Sequence, residues 1–175
     1  QQRQINDTEL AEQTGLSPAF LTALQDHDVY PSLGPLLKIA RALGTRLGTL
    51  LDDQGSQDPV IVRKNERSES LVTHRGENKP SELVFNSLGS GKIDRHMEPF
   101  FINVMPESAE HKNLSSHEGE EFIIVHSGEI ELVYGRETFK LAAGDTIYYN
   151  SIIPHYLSCA GQQAASIYAV LYLPQ

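Results

Sequence analysis

The sequence predicts an α+β chain of two unlike domains, an all-α unit followed by an all-β unit. Three observations predict this. Apolar residues from Leu10 to Leu43 recur at helical spacing. The segment "DDQGSQDPV", Asp52 to Val60, has the Gly, Ser, Pro and Asp content of a linker. Beyond it, short apolar runs alternate with a period of two. The resulting division is a helical domain over 1–53, a linker and edge strand over 54–79, and a β domain over 80–175.

The helical half is read from its apolar positions and its caps. Leu10, Ala11, Leu16, Phe20, Leu21 and Leu24, then Leu36, Leu37, Ile39, Ala40, Ala42 and Leu43, supply the buried stripes. Asn6 with Glu9 forms a capping box, Ser17 before Pro18 and Ser32 after Pro31 start helices, and Gly44 stops one. These signals predict helices near 7–13, 18–26, 33–43 and 46–51.

After the linker, "PVIVRK", "ELVFNSL", "FFINVM", "EFIIVHS", "EIELVYG", "TFKLAAGD", "TIYYN", "HYLSC" and "ASIYAVLYL" follow one another with turn residues between them. That is the pattern of an antiparallel sandwich or barrel, with no long helix.

The chain of 175 residues, 39% of them hydrophobic, suffices for real cores. Lys and Arg number 14 against 23 Asp and Glu, a net charge of −9 that opposes binding to phosphate backbones and anionic membranes. The lone Cys159 excludes an intrachain disulfide and suits a reducing cytoplasm, and no apolar run reaches membrane-spanning length. The expectation is a cytoplasmic protein without a membrane partner.

Within "TELAEQTGLSPAFLTAL", Ala11 is followed four positions on by Gly15, and Leu21 comes six later. A helix-turn-helix requires this: a small side chain where helices cross, Gly at the positive-φ turn position and an apolar anchor from the second helix. With "YPSLGPLLKIARALGTRLGTLL" downstream, residues 3–51 resemble the lambda-repressor-like, Xre-type DNA-binding domains. The resemblance implies a further helix ahead of the motif, here absent or reduced to Gln1 to Gln4. It also implies that Ser17, Ala19, Thr22 and Gln25 face double-stranded DNA. The sequence departs from that family in its charge. Residues 1–53 hold Arg3, Lys38, Arg41 and Arg46 against Asp7, Glu9, Glu12, Asp26, Asp28, Asp52 and Asp53. A competing reading therefore makes these helices a scaffold that packs or dimerises.

In "SSHEGEEFIIVHSGEIELVYG", His117, Gly119 and Glu121 share parity, so on a strand their side chains leave one face. Glu118 and Glu120, of opposite parity, read as a solvated edge, His126 as structural or exposed, and Cys159 as a buried inert thiol. Gly128 lies seven residues after Glu121, and Gly144 eleven before His155, with Pro154 just ahead. These spacings resemble the two motifs of the cupin family, a double-stranded β-helix barrel, over residues 80–174. Gly128 and Gly144 then serve as turn residues.

By that resemblance the ligand positions are His117, Glu121 and His155, with Ser115 where a further histidine commonly stands. Two imidazoles and one carboxylate suit Fe(II), Mn(II), Ni(II) or Zn(II), and burying them without a partner is costly. Ser115, Tyr148 and Tyr156 are expected at an effector pocket.

The order of domains is similar to the Xre-cupin transcriptional regulators. This implies a homodimer that binds DNA through its helices and a small-molecule effector in its barrel. It is also similar to the mononuclear non-haem iron epoxidases acting on hydroxypropylphosphonate, which use a two-histidine, one-glutamate set. An anionic phosphonate demands cations near the metal, for which Lys92, Arg95 and His96 are the candidates, while Leu83, Val84 and Phe85 stand where that pattern offers tyrosines. A sugar-isomerase-like or storage cupin leaves the helices unexplained. The regulator is the leading expectation.

Overall fold

The computed structural model describes residues 5–25, 33–51, 58–73, 82–92, 95–110 and 113–174. Four helices lead: α1 (Asp7–Thr14), α2 (Pro18–Gln25), α3 (Leu33–Ala42) and α4 (Leu47–Leu51). Each bound agrees with the periodicity to within a residue. Asn6 Oδ1 accepts from the Glu9 N–H at 2.9 Å, and Glu9 Oε2 accepts from the Asn6 N–H at 3.2 Å, closing the capping box. Gly15 takes φ +66° and donates to Ala11 O at 2.9 Å, the left-handed turn that sends the chain into α2. Ser17 Oγ accepts from the Phe20 N–H at 3.2 Å and starts α2. Gly44, also at φ +66°, ends α3. The expected start at Ser32, the residues ahead of Ile5 and most of the linker lie outside the described residues.

The β half contains β1 (Glu69–Thr73), β2 (Leu83–Ser87), β3 (Met97–Val104), β4 (Glu120–Ser127), β5 (Glu129–Tyr134), β6 (Glu137–Ala142), β7 (Thr146–Asn150), β8 (His155–Cys159) and β9 (Ala165–Tyr172). One antiparallel sheet runs β1-β2-β3-β9-β4-β7 and the other β6-β5-β8. Phe100, Ile102, Val104, Ile123, Val125, Ile167, Ala169 and Leu171 of the first sheet and Ile130, Leu132, Leu141 and Cys159 of the second are all buried in one cluster. Alternation produces this: in β3 every second residue from Glu98 to Val104 is buried. Burying such aliphatic side chains contributes about 1.5–3 kcal/mol each.

One strand expectation fails. "PVIVRK" forms no strand; Val60 to Arg63 is unpaired and leads into a short 3-10 turn at Lys64–Glu66. The edge of the sheet is taken instead by β1, "ESLVT", which pairs with β2. Ile61 is left 63% exposed, and among the described residues no strand pairs with its segment. The segment is fastened farther on, where the Arg67 guanidinium lies 4.4 Å from the centroid of the Phe101 ring.

Gly128 and Gly144 occupy positive-φ turns, at φ +74° and +95°, between β4 and β5 and between β6 and β7. Cys159 is 2% exposed, and its thiol donates to Gln163 O at 3.1 Å, which fits an inert core residue.

The helices are not a separate bead. Leu37 of α3 and Leu47 of α4 belong to the same buried cluster as the barrel. The Gly48 N–H donates to Glu98 Oε1 at 3.0 Å, while Glu98 Oε2 accepts from Arg95 Nε at 2.8 Å. Arg46 Nη1 donates to Arg95 O at 3.1 Å. Among the described residues no helix is long and apolar enough to cross a membrane.

Candidate metal centre and reading head

β4, the segment just ahead of it and β8 bring the predicted trio together. Glu121 is the second residue of β4 and His155 the first of β8. The parity argument puts His117 on the same strand as Glu121, but β4 starts at Glu120 and His117 precedes it. Gly119 is the reason. Its φ is +106°, and a Cβ there would stand 2.1 Å from Tyr172 O, so the chain bends where only glycine fits. His117 is still aimed inward, because its N–H donates to Ser151 O at 3.0 Å and Gly119 O accepts from the Ser151 N–H at 2.9 Å.

Glu121 Oε1 lies 3.0 Å from His117 Nε2 and 3.3 Å from His155 Nε2. One ligand atom from each residue falls within 4.8 Å of the others, and the three residues are 7–8% exposed. Both outer ring nitrogens face main-chain carbonyls: His117 Nδ1 is 3.1 Å from Glu118 O, and His155 Nδ1 is 2.8 Å from Ile153 O. A carbonyl only accepts, so each Nδ1 carries a proton; a neutral ring then turns its Nε2 lone pair inward, and a protonated ring donates from Nε2 to Glu121 Oε1. With both rings neutral, two imidazole lone pairs and a carboxylate oxygen converge on one point. Such a cluster is stable only with a positive charge at its centre, either a proton on one ring or a metal ion.

The electrostatics agree. Burial alone would raise the Glu121 carboxyl, but its hydrogen bonds to His117 and His155 and their charges hold it well below the usual carboxylate range. For His155 burial would lower the ring, yet the Glu121 hydrogen bond, the Ile153 carbonyl and the Glu121 charge raise it. The donor set fits a divalent ion that takes nitrogen and oxygen ligands.

Other expected site residues fall as follows. Ser115 pairs with His155 through two backbone hydrogen bonds, of 3.0 and 2.9 Å, and so sits beside the trio. Tyr148 and Tyr156 do not reach it. Tyr148 is 63% exposed on the outer face of β7, its hydroxyl donating to Glu120. Tyr156 is turned the other way from His155 and donates to Ser108 O at 2.6 Å. Both corrections have one cause, since adjacent residues on a strand face opposite sides. The residue that does reach the site is Tyr149, whose hydroxyl donates to Glu121 Oε2 at 2.8 Å, together with Ser151, whose Oγ donates to Oε1 at 3.1 Å. Tyr149 is the cross-strand partner of Glu121, a register that the spacing of the chain does not reveal.

Glu118 is exposed and ion-paired with Arg41 of α3, and His126 is exposed with its ring edge against Phe101 and Tyr168. Lys92 pairs with Asp58 at 3.3 Å, and His96 is exposed.

On the helical head, Ser17 just ahead of α2 and Ala19 and Thr22 within it are exposed. Thr22 Oγ1 donates back to Pro18 O at 3.1 Å. Gln25 ends the helix, and its side chain lies outside the described residues. Of the head's few cations, Arg41 and Arg46 reach toward the barrel, and Lys38 is exposed.

Comparisons with known proteins fit both halves. Residues 1–56 match a Cro/C1-type HTH DNA-binding domain and residues 100–171 a cupin domain. The HTH-type transcriptional regulator PuuR of Escherichia coli is 25% identical over 90% of this chain and 82% of its own length. The (S)-2-hydroxypropylphosphonic acid epoxidase of Streptomyces wedmorensis is 27% identical over 97% of this chain and 89% of its own. In structure, an HTH_3 family transcriptional regulator from Vibrio cholerae shares the fold with a TM-score of 0.67 at 21% identity, covering 99% of this chain and 89% of that one.

Proposed function

We infer from the match of its two parts to a Cro/C1-type HTH DNA-binding domain and a cupin domain, and from its similarity to HTH-type transcriptional regulators, that this chain is a DNA-binding transcriptional regulator. Its barrel senses a small molecule, with a divalent metal held by His117, Glu121 and His155. Such a regulator works in the cytoplasm as a homodimer, whose two reading helices meet successive half-sites.

One observation carries this reading. A single face of α3 lies along the segment that bears the first ligand histidine. At Gly34 a Cβ would stand 3.8 Å from Ser116 O and 3.9 Å from Ser115 Cβ, Leu37 enters the shared core, and Arg41 pairs with Glu118. α3 in turn packs on α1, which supports α2. Any shift of His117 on binding an ion or effector is therefore felt by the helices that would read DNA. Ser17, Ala19, Thr22 and Gln25 are the proposed contacts, and Ser115 borders the effector. The test is retention of genomic DNA fragments by the full chain at low salt, with and without Zn(II) or Mn(II). Sequence-selective retention that changes with the metal supports the reading; no retention at low salt defeats it.

A second reading, an iron enzyme acting on a phosphonate, is favoured by the two-histidine, one-carboxylate set and the epoxidase relative. Against it, two cations that a phosphonate would need are engaged elsewhere, Lys92 with Asp58 and Arg95 with Glu98. Dioxygen uptake by the Fe(II)-loaded chain on adding a 2-hydroxyalkylphosphonate, lost in Glu121→Ala, would instead establish the enzyme.

A further inference from the structure

The two oxygens of Glu121 are not equivalent. Oε1 faces both imidazoles and accepts from Ser151 Oγ at 3.1 Å. Oε2 accepts from the Tyr149 phenol at 2.8 Å. Tyr149 is 6% exposed and wedged between two rings, with centroids 5.4 Å from Tyr134 and 5.1 Å from His155. It stands directly across the β4–β7 register from Glu121, so main chain as well as ring packing fixes where the hydroxyl points. A carboxylate oxygen only accepts, so in this contact the phenol is the donor.

We infer that Tyr149 is a positioning residue that sets how Glu121 binds a metal ion: the phenol occupies Oε2, and the carboxylate offers the ion one oxygen. This rests on the metal-holding reading above. Oε1 is the oxygen turned to both imidazoles, and for Oε2 to reach the same ion the carboxylate must rotate and draw Oε2 off the line of its 2.8 Å bond to the phenol, at a cost in that buried hydrogen bond. With Oε2 held, the protein supplies two nitrogens and one oxygen. That set favours ions content with few, nitrogen-rich ligands, such as Zn(II), Fe(II) and Co(II), over ions that gather many oxygens, such as Ca(II) and Mg(II). Ser151 assists by fixing Oε1 without competing for Oε2.

The experiment uses the full chain loaded with Co(II) or Zn(II). In the wild type, the infrared difference spectrum between Zn(II)-loaded and metal-free protein should show the wide splitting of carboxylate stretches that marks one-oxygen coordination. Tyr149→Phe should lower the visible absorbance per bound Co(II), as a further donor joins the ion. It should also shift the Mn(II)-to-Zn(II) affinity ratio toward Mn(II) by about tenfold, the low end of what loss of a partner behind a ligand does. Tyr134→Phe, which keeps the ring beside Tyr149 and has no bond to Glu121, should change neither. A narrow splitting in the wild type, or a Tyr149→Phe protein with an unchanged Co(II) spectrum and affinity ratio, overturns the inference. If Tyr149→Phe does not fold, the wild-type splitting decides. Failure of the wild type to take up Co(II) or Zn(II) overturns the metal reading itself, a result separable from uptake with two-oxygen coordination.

Discussion

Gly48 and Glu98, one on the last helix of the head and the other on a barrel strand, are joined by a backbone hydrogen bond of 3.0 Å to a carboxylate that is 2% exposed. The other oxygen of that carboxylate holds Arg95, whose Nη1 donates to Gly89 O and Lys92 O. Charge, helix end and turn are thus closed around one buried acid.

This arrangement makes the joint sensitive to small changes. Glu98→Ala removes the buried carboxylate that Arg95 and the Gly48 N–H share and should destabilise the protein by about 3–5 kcal/mol. Gly48→Ala places a Cβ 2.0 Å from Arg95 Nη2 and should cost about 1–3 kcal/mol as the guanidinium is displaced. Urea denaturation of both variants measures this; midpoints equal to wild type would show that the joint is not formed in solution.

Proton and metal compete for the trio, and the signs can be worked out. The stabilising effect of Glu121, with its lowered folded pKa, is present above about 4.5 and lost as pH falls through that lowered value. That of His155, with its raised folded pKa, is present below about 6.5 and lost as pH rises through the raised value. The metal-free protein should therefore be most stable between about pH 4.5 and 6.5 with respect to this pair. His155→Asn should flatten the alkaline side. Zn(II) binding should tighten over the same rise in pH and release up to one proton, read from calorimetry in buffers of different ionisation heat. A metal affinity indifferent to pH between 5.5 and 7.5 would contradict the proton's place at the centre.

DNA affinity should depend only shallowly on salt, because residues 1–53 hold four cations against seven acids and one of the four, Arg46, donates to Arg95 O. Specificity must then come from base edges. Thr22→Ala should cost about 1–3 kcal/mol at the preferred site, with little effect on random DNA. An equal loss on both would make Thr22 a backbone contact only.

Arg41→Ala should barely move thermal stability, since Arg41 and Glu118 are 62% and 56% exposed in their side chains and exposed pairs are worth little. The change in DNA affinity on adding metal should nevertheless shrink, and Glu118→Ala should shrink it equally. A response to metal that survives both substitutions would locate the coupling elsewhere on α3.

Much of this was legible where the signal is local. The Asn6–Glu9 box, the Gly15 turn and the motif spacing of Glu121 and His155 each lie within a few residues or a recognisable pattern. What escaped depends on pairing across the chain. "PVIVRK" and "ESLVT" both carry strand-like composition, and only the neighbour β2 decides which is bonded. Tyr148 and Tyr149 are adjacent and alike, and only the register against β4 says which meets Glu121. The Gly48–Glu98–Arg95 closure links positions about fifty residues apart, with no local pattern to announce it.

The burial of Leu37 and Leu47 in the barrel's own hydrophobic cluster carries a practical lesson. Cutting the chain at the linker would not free two finished halves: the β fragment would keep an oily scar where the helices had been peeled away, prone to self-association. Heating should likewise melt head and barrel in a single event, and two separate calorimetric transitions would show that the shared leucines do not couple them.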